Sequence, residues 1–239
     1  MCIIVSMIEE RLDQLEERVT WSELAQKIGV NPGTFSHLRN NGNELNFKSF
    51  LNLAKELYKN DYVDVMSMWC LDLKRPKNLK CALEFLSSHR RLDELETLIQ
   101  MIKNEYDSKE LINWADLYQI LLKHQRDPND TDYINELRHY NPKSVETKIL
   151  STIAEIYYFH RKNDYKNIFE KSTGLPSCFE MIKDEFIRDS FESRLYEILA
   201  YMNLYRDNPQ TAREYATKII SKNSCAIFAV SSYYIMGVS

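Results

Sequence analysis

The stretch Trp21–Asn40, WSELAQKIGVNPGTFSHLRN, decides how this chain is read, because its small and apolar residues fall at the spacing of two short helices joined by a sharp turn. Leu24, Ala25 and Ile28 share one face of a first helix that Ser22 is expected to cap, and Ala25 is small enough to let a second helix cross closely. Gly29 stands where the turn demands a left-handed backbone, and Val30 is expected to plug the corner. Asn31 as N-cap and Pro32 at the first helical position restart the chain and bury Phe35 and Leu38 against the first helix. Thr34, Ser36, His37, Arg39 and Asn40 then point outward, with Lys27 and Asn31 beside the turn, as candidate DNA-binding residues able to meet base edges or phosphates in a major groove. A simple helical corner requires neither Gly29 nor Ala25, so the pattern predicts a helix-turn-helix DNA-binding domain over residues 1–60.

Charge makes that interface a local one. The net charge of −4 excludes a polycation that coats nucleic acid. Within residues 1–60 the cations Arg11, Arg18, Lys27, Arg39, Lys48, Lys55 and Lys59 are slightly outnumbered by carboxylates. Five of those acids, Glu9, Glu10, Asp13, Glu16 and Glu17, belong to a preceding helix that need not face DNA. Binding is then modest per monomer, and a homodimer would strengthen it.

The rest of the chain reads as helix throughout. Only 5 Gly and 6 Pro occur in 239 residues, and apolar positions recur at helical rather than alternating spacing. Phe47–Tyr58 is expected to close the first domain, and a connecting helix lies within residues 61–75. Lys74, Arg75, Lys77 and Lys80 surround Pro76 as solvated surface or as a supplementary phosphate contact. From Pro76 onward the spacing predicts helices at 76–88, 91–105, 108–125, 129–140, 143–162, 164–172, 184–205 and 208–222, with an inserted loop at Gly174–Cys178. Helical pairs of this length suggest a right-handed α-solenoid of degenerate TPR-like hairpins over residues 76–239, so the fold class is all-α. Tyr196, Leu199, Ala200 and Ala212 give the best single repeat, and Ile153, Ala154 and Tyr157 a weaker copy. A concave hairpin surface commonly takes up peptides, and tyrosines of the 143–162 and 184–205 helices would line it here.

Other chemistries find little support. The cysteines Cys2, Cys70, Cys81, Cys178 and Cys225 are widely spaced with no CxxC pair, as in a reduced, cytoplasmic protein. No His or Cys spacing suits a metal, and no phosphate loop, nucleophile elbow or dinucleotide fingerprint occurs, so neither an enzyme nor a cofactor is expected. The apolar segment Cys2–Met7 is far too short for a membrane span.

The order of these elements resembles the peptide-pheromone regulators of Gram-positive bacteria and their phages, and within them the AimR arbitrium receptors of Bacillus phages. Trp69, Cys70, Leu71, Asp72 and Leu73, then Cys81, Ala82, Leu83, Glu84 and Phe85, are similar to that family's YCLNL-type segment and SALEYA-type helix. The stretch Ala212–Gly237, AREYATKII to SYYIMG, is similar to a repeat in the middle of those receptors. The resemblance implies a phage- or prophage-encoded regulator in the host cytoplasm that decides between lysis and lysogeny, binding a promoter until a short oligopeptide signal releases it. It implies a peptide site on the long helix and its neighbours, for which Tyr157, Tyr201 and Asn203 are the candidates. The family's peptide-holding Asn and Arg fall in this frame on Tyr201 and Ile227, with Asn203 and Arg206 adjacent. Ser239 falls within the first helix of a repeat, so the array is expected to be incomplete and to expose an apolar face at Ile227, Phe228, Val230, Tyr233, Tyr234 and Ile235. A protein-interaction regulator, or a truncated dominant-negative fragment without a working peptide sensor, is the alternative reading.

Overall fold

A computed structural model describes residues 3–15, 19–41, 43–222 and 226–238. Among them the ordered elements are all helical, in two compact units: Met1–Leu86 with Arg91–Leu98, and Ser87–Arg90 with Ile99–Ser239. Glu16, Glu17, Arg18, Cys2 and Cys225 lie outside the described residues, as does the side chain of Ile227.

The first unit opens with α1 (Ile3–Asp13), α2 (Trp21–Lys27), α3 (Pro32–Asn41) and α4 (Phe47–Tyr58). A 3₁₀ turn at Lys59–Asp61 leads to α5 (Tyr62–Asp72), followed by α6 (Pro76–Ser88) and α7 (Leu92–Glu105), which both run on past the end of the unit. Trp69 is fully buried, with the rings of Phe50 and Tyr58 standing edge-on to it at 6.3 and 6.0 Å. Two polar clasps hold α1 to α4: Tyr58 donates its hydroxyl to Met7 O at 2.8 Å, and Arg11 Nε donates to Leu57 O at 3.1 Å. The opening of α6 is met by Glu44, whose carboxylate accepts from the backbone N–H groups of Lys74 and Arg75 and from Asn78 Nδ2. That carboxylate takes the place a phosphate would occupy at a helix N-terminus.

The second unit continues with α8 (Lys109–Arg126), α9 (Tyr133–His139), α10 (Val145–Arg161), α11 (Tyr165–Ser172), α12 (Leu175–Phe179), α13 (Glu185–Tyr205), α14 (Pro209–Lys222) and α15 (Ala226–Val238). Side-chain caps fix several starts: Ser108, Ser144, Asp164 and Asp184 each accept the backbone N–H three residues on. The 21-residue α13 is the spine, packing on α10, α14 and α15, and Ala200, Ala212 and Ala216 are small enough for α14 to come close. The stretch Gly174–Cys178, expected as a loop, enters the short helix α12, because Pro176 suits a first helical turn where its missing N–H costs nothing. The apolar face expected near the C-terminus is narrower than supposed. Phe228 and Ile235 are buried at 4% and 0% exposure, whereas Val230, Tyr233 and Tyr234 are exposed.

One turn recurs in both units. At Gly29, Arg90, Asn163 and Asp207 the backbone has φ of 72°, 55°, 54° and 58°, and the next residue's N–H reaches back to the carbonyl five positions earlier at 2.9 Å. This is the Schellman closure of a helix, which satisfies carbonyls otherwise left unpaired.

Candidate nucleic-acid interface and effector cavity

The interface is built from α2 and α3. A capping box starts α2: Thr20, rather than the expected Ser22, accepts Glu23 N at 3.2 Å, while Glu23 Oε2 accepts from Thr20 N at 2.8 Å. Glu23 stands three residues after Thr20, which closes both bonds; Ser22 has no such partner at its own third position. Those hydrogen bonds hold the Glu23 carboxyl below the usual range. Leu24, Ala25, Ile28, Phe35 and Leu38 are buried as expected. Val30 is half-buried at the corner, and its N–H donates to Ala25 O.

Thr34, Ser36, His37, Arg39 and Asn40 are all exposed on α3, and Lys27 and Asn31 are exposed beside them. Their partners differ. Asn31 Oδ1 accepts from Gly33 N at 2.8 Å, so this side chain closes the start of the helix. Asn40 Nδ2 donates to Ser36 Oγ at 3.1 Å. Both cations are paired: Arg39 Nε with Glu9 Oε1 at 3.2 Å, and Lys27 Nζ with Glu56 Oε1 at 3.3 Å. α1 carries Glu9 up to Arg39 on this surface. Trp21, which sequence reasoning passed over, packs its ring at a tilt against Phe35, 5.0 Å between centres, and holds the Arg39 guanidinium 5.3 Å from its ring centre. An aromatic residue opening the first helix was the available signal.

The second unit contains a cavity of about 250 Å³. Its wall includes Arg90, Arg161 and Arg194, the carboxylate Glu197, and Tyr157, His124 and Gln125. Tyr157 donates its hydroxyl to Glu197 Oε2 at 2.7 Å; burial, then the Glu197 charge, pushes its phenol well up. Arg161 donates to Pro128 O at 3.0 Å and to His124 Nε2 at 3.1 Å, which places the His124 proton on Nδ1. Of the candidate peptide residues, Tyr157 is on this wall. Tyr201 instead packs on the cluster of Ala200, Ala212, Ala216 and Ile235, and Asn203 Nδ2 donates to Leu199 O at 2.8 Å near the end of α13. The cavity itself is not legible from the sequence, since its lining comes from distant stretches of chain.

His124 and His160 respond to acid. Burial, and next the Arg161 charge, lowers both imidazoles, with Asp130 and Asp127 opposing weakly at His124. A base whose folded pKa is depressed binds protons more readily when unfolded, so stability is full above the ordinary value of about 6.5 and falls as pH drops below it. Thermal unfolding midpoints should therefore decline between about pH 7 and about pH 5, above the range where carboxylates protonate. His124→Gln should flatten that decline, and a profile unchanged by the substitution would refute the assignment.

Comparison with known proteins places this architecture. Residues 62–239 match the family model described as AimR transcriptional regulator-like. The AimR transcriptional regulator of Bacillus phage SPbeta is 23% identical over 227 residues, covering 92% of this chain and 57% of the relative. The same figures hold for the SPbeta prophage-derived uncharacterized protein YopK of Bacillus subtilis strain 168. The chain thus spans under two thirds of the length of these relatives. The solved structure of SeMet-phAimR superposes with a TM-score of 0.83 at 19% identity, covering 98% of this chain and 61% of that one, a likeness in fold. An all-helical chain with the family pattern running from α5 to its last helix belongs to the AimR transcriptional regulator-like family.

Proposed function

We propose that this protein is a DNA-binding transcriptional regulator controlled by a short communication peptide, of the arbitrium type that governs phage lysis and lysogeny. In this reading α2 and α3 form a helix-turn-helix in a domain over residues 1–60, residues 61–75 connect, and residues 76–239 form a TPR-like array. Asn31, Thr34, Ser36, His37, Arg39, Asn40 and Lys27 meet DNA, and a peptide engages Tyr157, Tyr201 and Asn203. The protein works in the cytoplasm of a bacterial host, without cofactor or membrane, and pairs with a second copy on its operator. The observation that carries this reading is the exposed polar face of α3, set on α2 by the Gly29 turn, in a chain of this family. Among the described residues no helix is long and apolar enough to cross a membrane.

The test is a mobility shift on DNA flanking the protein's own gene, with and without the short peptides encoded beside it. A retarded band released by one peptide supports the reading in full. A band indifferent to every peptide leaves a DNA-binding protein without a sensor. No band favours the alternative, a helical-repeat protein-interaction regulator or a dominant-negative fragment, for which the exposed Val230, Tyr233 and Tyr234 of α15 offer a contact surface.

The Glu9 pair gives a second prediction. Its carboxylate competes with phosphate for Arg39, and an exposed pair of this kind is worth about 1 kcal/mol or less. Glu9→Gln should therefore tighten duplex binding about 2- to 5-fold at low salt, with the gain shrinking as salt is raised. Fluorescence anisotropy at two salt concentrations checks this, and weaker binding by the variant would contradict it.

A further inference from the structure

The opening of α6 carries positive charge where folding alone would favour acids. Between Asp72 and Glu84 the chain has Lys74, Arg75, Lys77 and Lys80 and no carboxylate, and Glu84 is itself fully buried. Lys74, Arg75 and Lys77 are exposed, and no acid of α6 occupies its first turn. The N-terminus of a helix is the positive end of its dipole, so cations there are disfavoured, and like charges this close repel one another. The Glu44 carboxylate answers only part of that charge. A cluster that opposes both the dipole and its own members breaks the local rules of helix stability, as functional surfaces do.

Glu44 also fixes where this strip lies. It follows Asn41, the last residue of α3, by three positions, and its carboxylate accepts from Lys74 N, from Arg75 N at 3.1 Å and from Asn78 Nδ2 at 2.8 Å. Asn78 is 3% exposed, and its Nδ2 donates also to Leu45 O at 2.8 Å. The strip is thus clamped, within the first unit, to the segment that leaves α3. Three residues of chain span about 10 Å at most, less than the roughly 12 Å width of a major groove. With α3 seated in that groove, the strip reaches the phosphates along its wall. Because Glu44 fills the N–H groups at the helix end, the side chains are what an approaching phosphate meets.

We infer that Lys74, Arg75 and Lys77 form a second DNA contact outside the helix-turn-helix, a clamp on the phosphates that flank the bases met by α3, with the half-buried Lys80 adding to its field. The inference rests on the DNA-binding reading and deepens it. Contacts from α3 to base edges set sequence, whereas the strip supplies affinity that every duplex shares. That supply answers a shortfall, since Arg39 is the one permanent cation of α3 and is paired with Glu9.

Fluorescence anisotropy of the full chain over a salt series would compare DNA flanking the protein's own gene with an unrelated duplex of equal length. Lys74→Gln, Arg75→Gln and Lys77→Gln combined should weaken binding to both duplexes by about 10-fold or more at low salt, and flatten the salt dependence by about three ions. The triple variant relieves an unfavourable helix end, so it should melt at or above the parent temperature. Lys74→Arg with Lys77→Arg keeps the charge and should bind within about 2-fold of the parent. Lys109→Gln, Lys166→Gln and Lys183→Gln combined remove as much charge from exposed positions of the second unit and should leave the salt dependence as it was. If the parent binds neither duplex, the DNA-binding reading fails and the clamp with it. If the parent binds while the triple variant keeps its affinity and salt dependence, or the second-unit variant loses as much, the clamp alone is overturned.

Discussion

Replacing Arg39 and His37 together with alanine should weaken binding to an operator duplex by about 100-fold, from losses of about 1–3 kcal/mol for each side chain that reaches DNA. Both residues are exposed on α3, and alanine is the best helix former, so the helix itself should persist. Folding stability should change little. The Arg39–Glu9 pair has side-chain exposures of 50% and 36%, where ion pairs are worth about 1 kcal/mol or less, and the Trp21 ring interaction with Arg39 contributes a similar amount. An unchanged circular-dichroism spectrum would accompany the weakened affinity. Lys166, with 84% side-chain exposure in the second unit, supplies the control: Lys166→Ala should bind as the parent does. If Arg39 touches a phosphate, the salt dependence of binding should also flatten by about one ion. Binding within 2-fold of the parent would remove α3 from the interface and transfer the weight to a protein partner.

The parts of this molecule that could be read from its sequence are those specified by local chemistry. Most helices lie within a few residues of their expected limits because apolar spacing over ten or more residues specifies helix strongly. The Gly29 turn was legible because glycine marks a left-handed backbone. The same turn at Arg90, Asn163 and Asp207 was not, since there the closing hydrogen bonds set the backbone and the residue type gives a weak signal. Thr20 illustrates a signal present but misassigned: Thr-x-x-Glu was available two residues before the Ser22 chosen as cap. Contacts over long separations were out of reach. Glu9 meets Arg39 from thirty positions away. Arg194 and Ser87 are brought together across 107 positions, which periodicity does not encode. Phe228 was placed on an open face because α15 is apolar on most of its surface, so its pattern did not distinguish the side turned toward Arg194.

Trp114→Ala should be the most damaging single substitution in the second unit. The side chain lies in α8 at 1% exposure, stacked on Tyr118 at 6.0 Å and on Phe191 of α13 at 6.3 Å. It therefore joins two helices that the sequence separates by more than fifty residues. Removing an indole from a closed core forfeits its transfer energy and leaves a void that rigid neighbours only partly fill, at a cost of about 3–5 kcal/mol. For a unit of this size each kcal/mol lowers the melting temperature by about 2–4 °C, so a fall of about 10 °C or more is expected. Trp114→Phe keeps a ring between the same neighbours and should lose less than half as much. Calorimetric melting separates these outcomes, with Trp21 and Trp69 left as fluorescent reporters in the first unit. A loss below about 1 kcal/mol for Trp114→Ala, the ordinary range of a surface change, would mean that α8 and α13 are held together by other contacts.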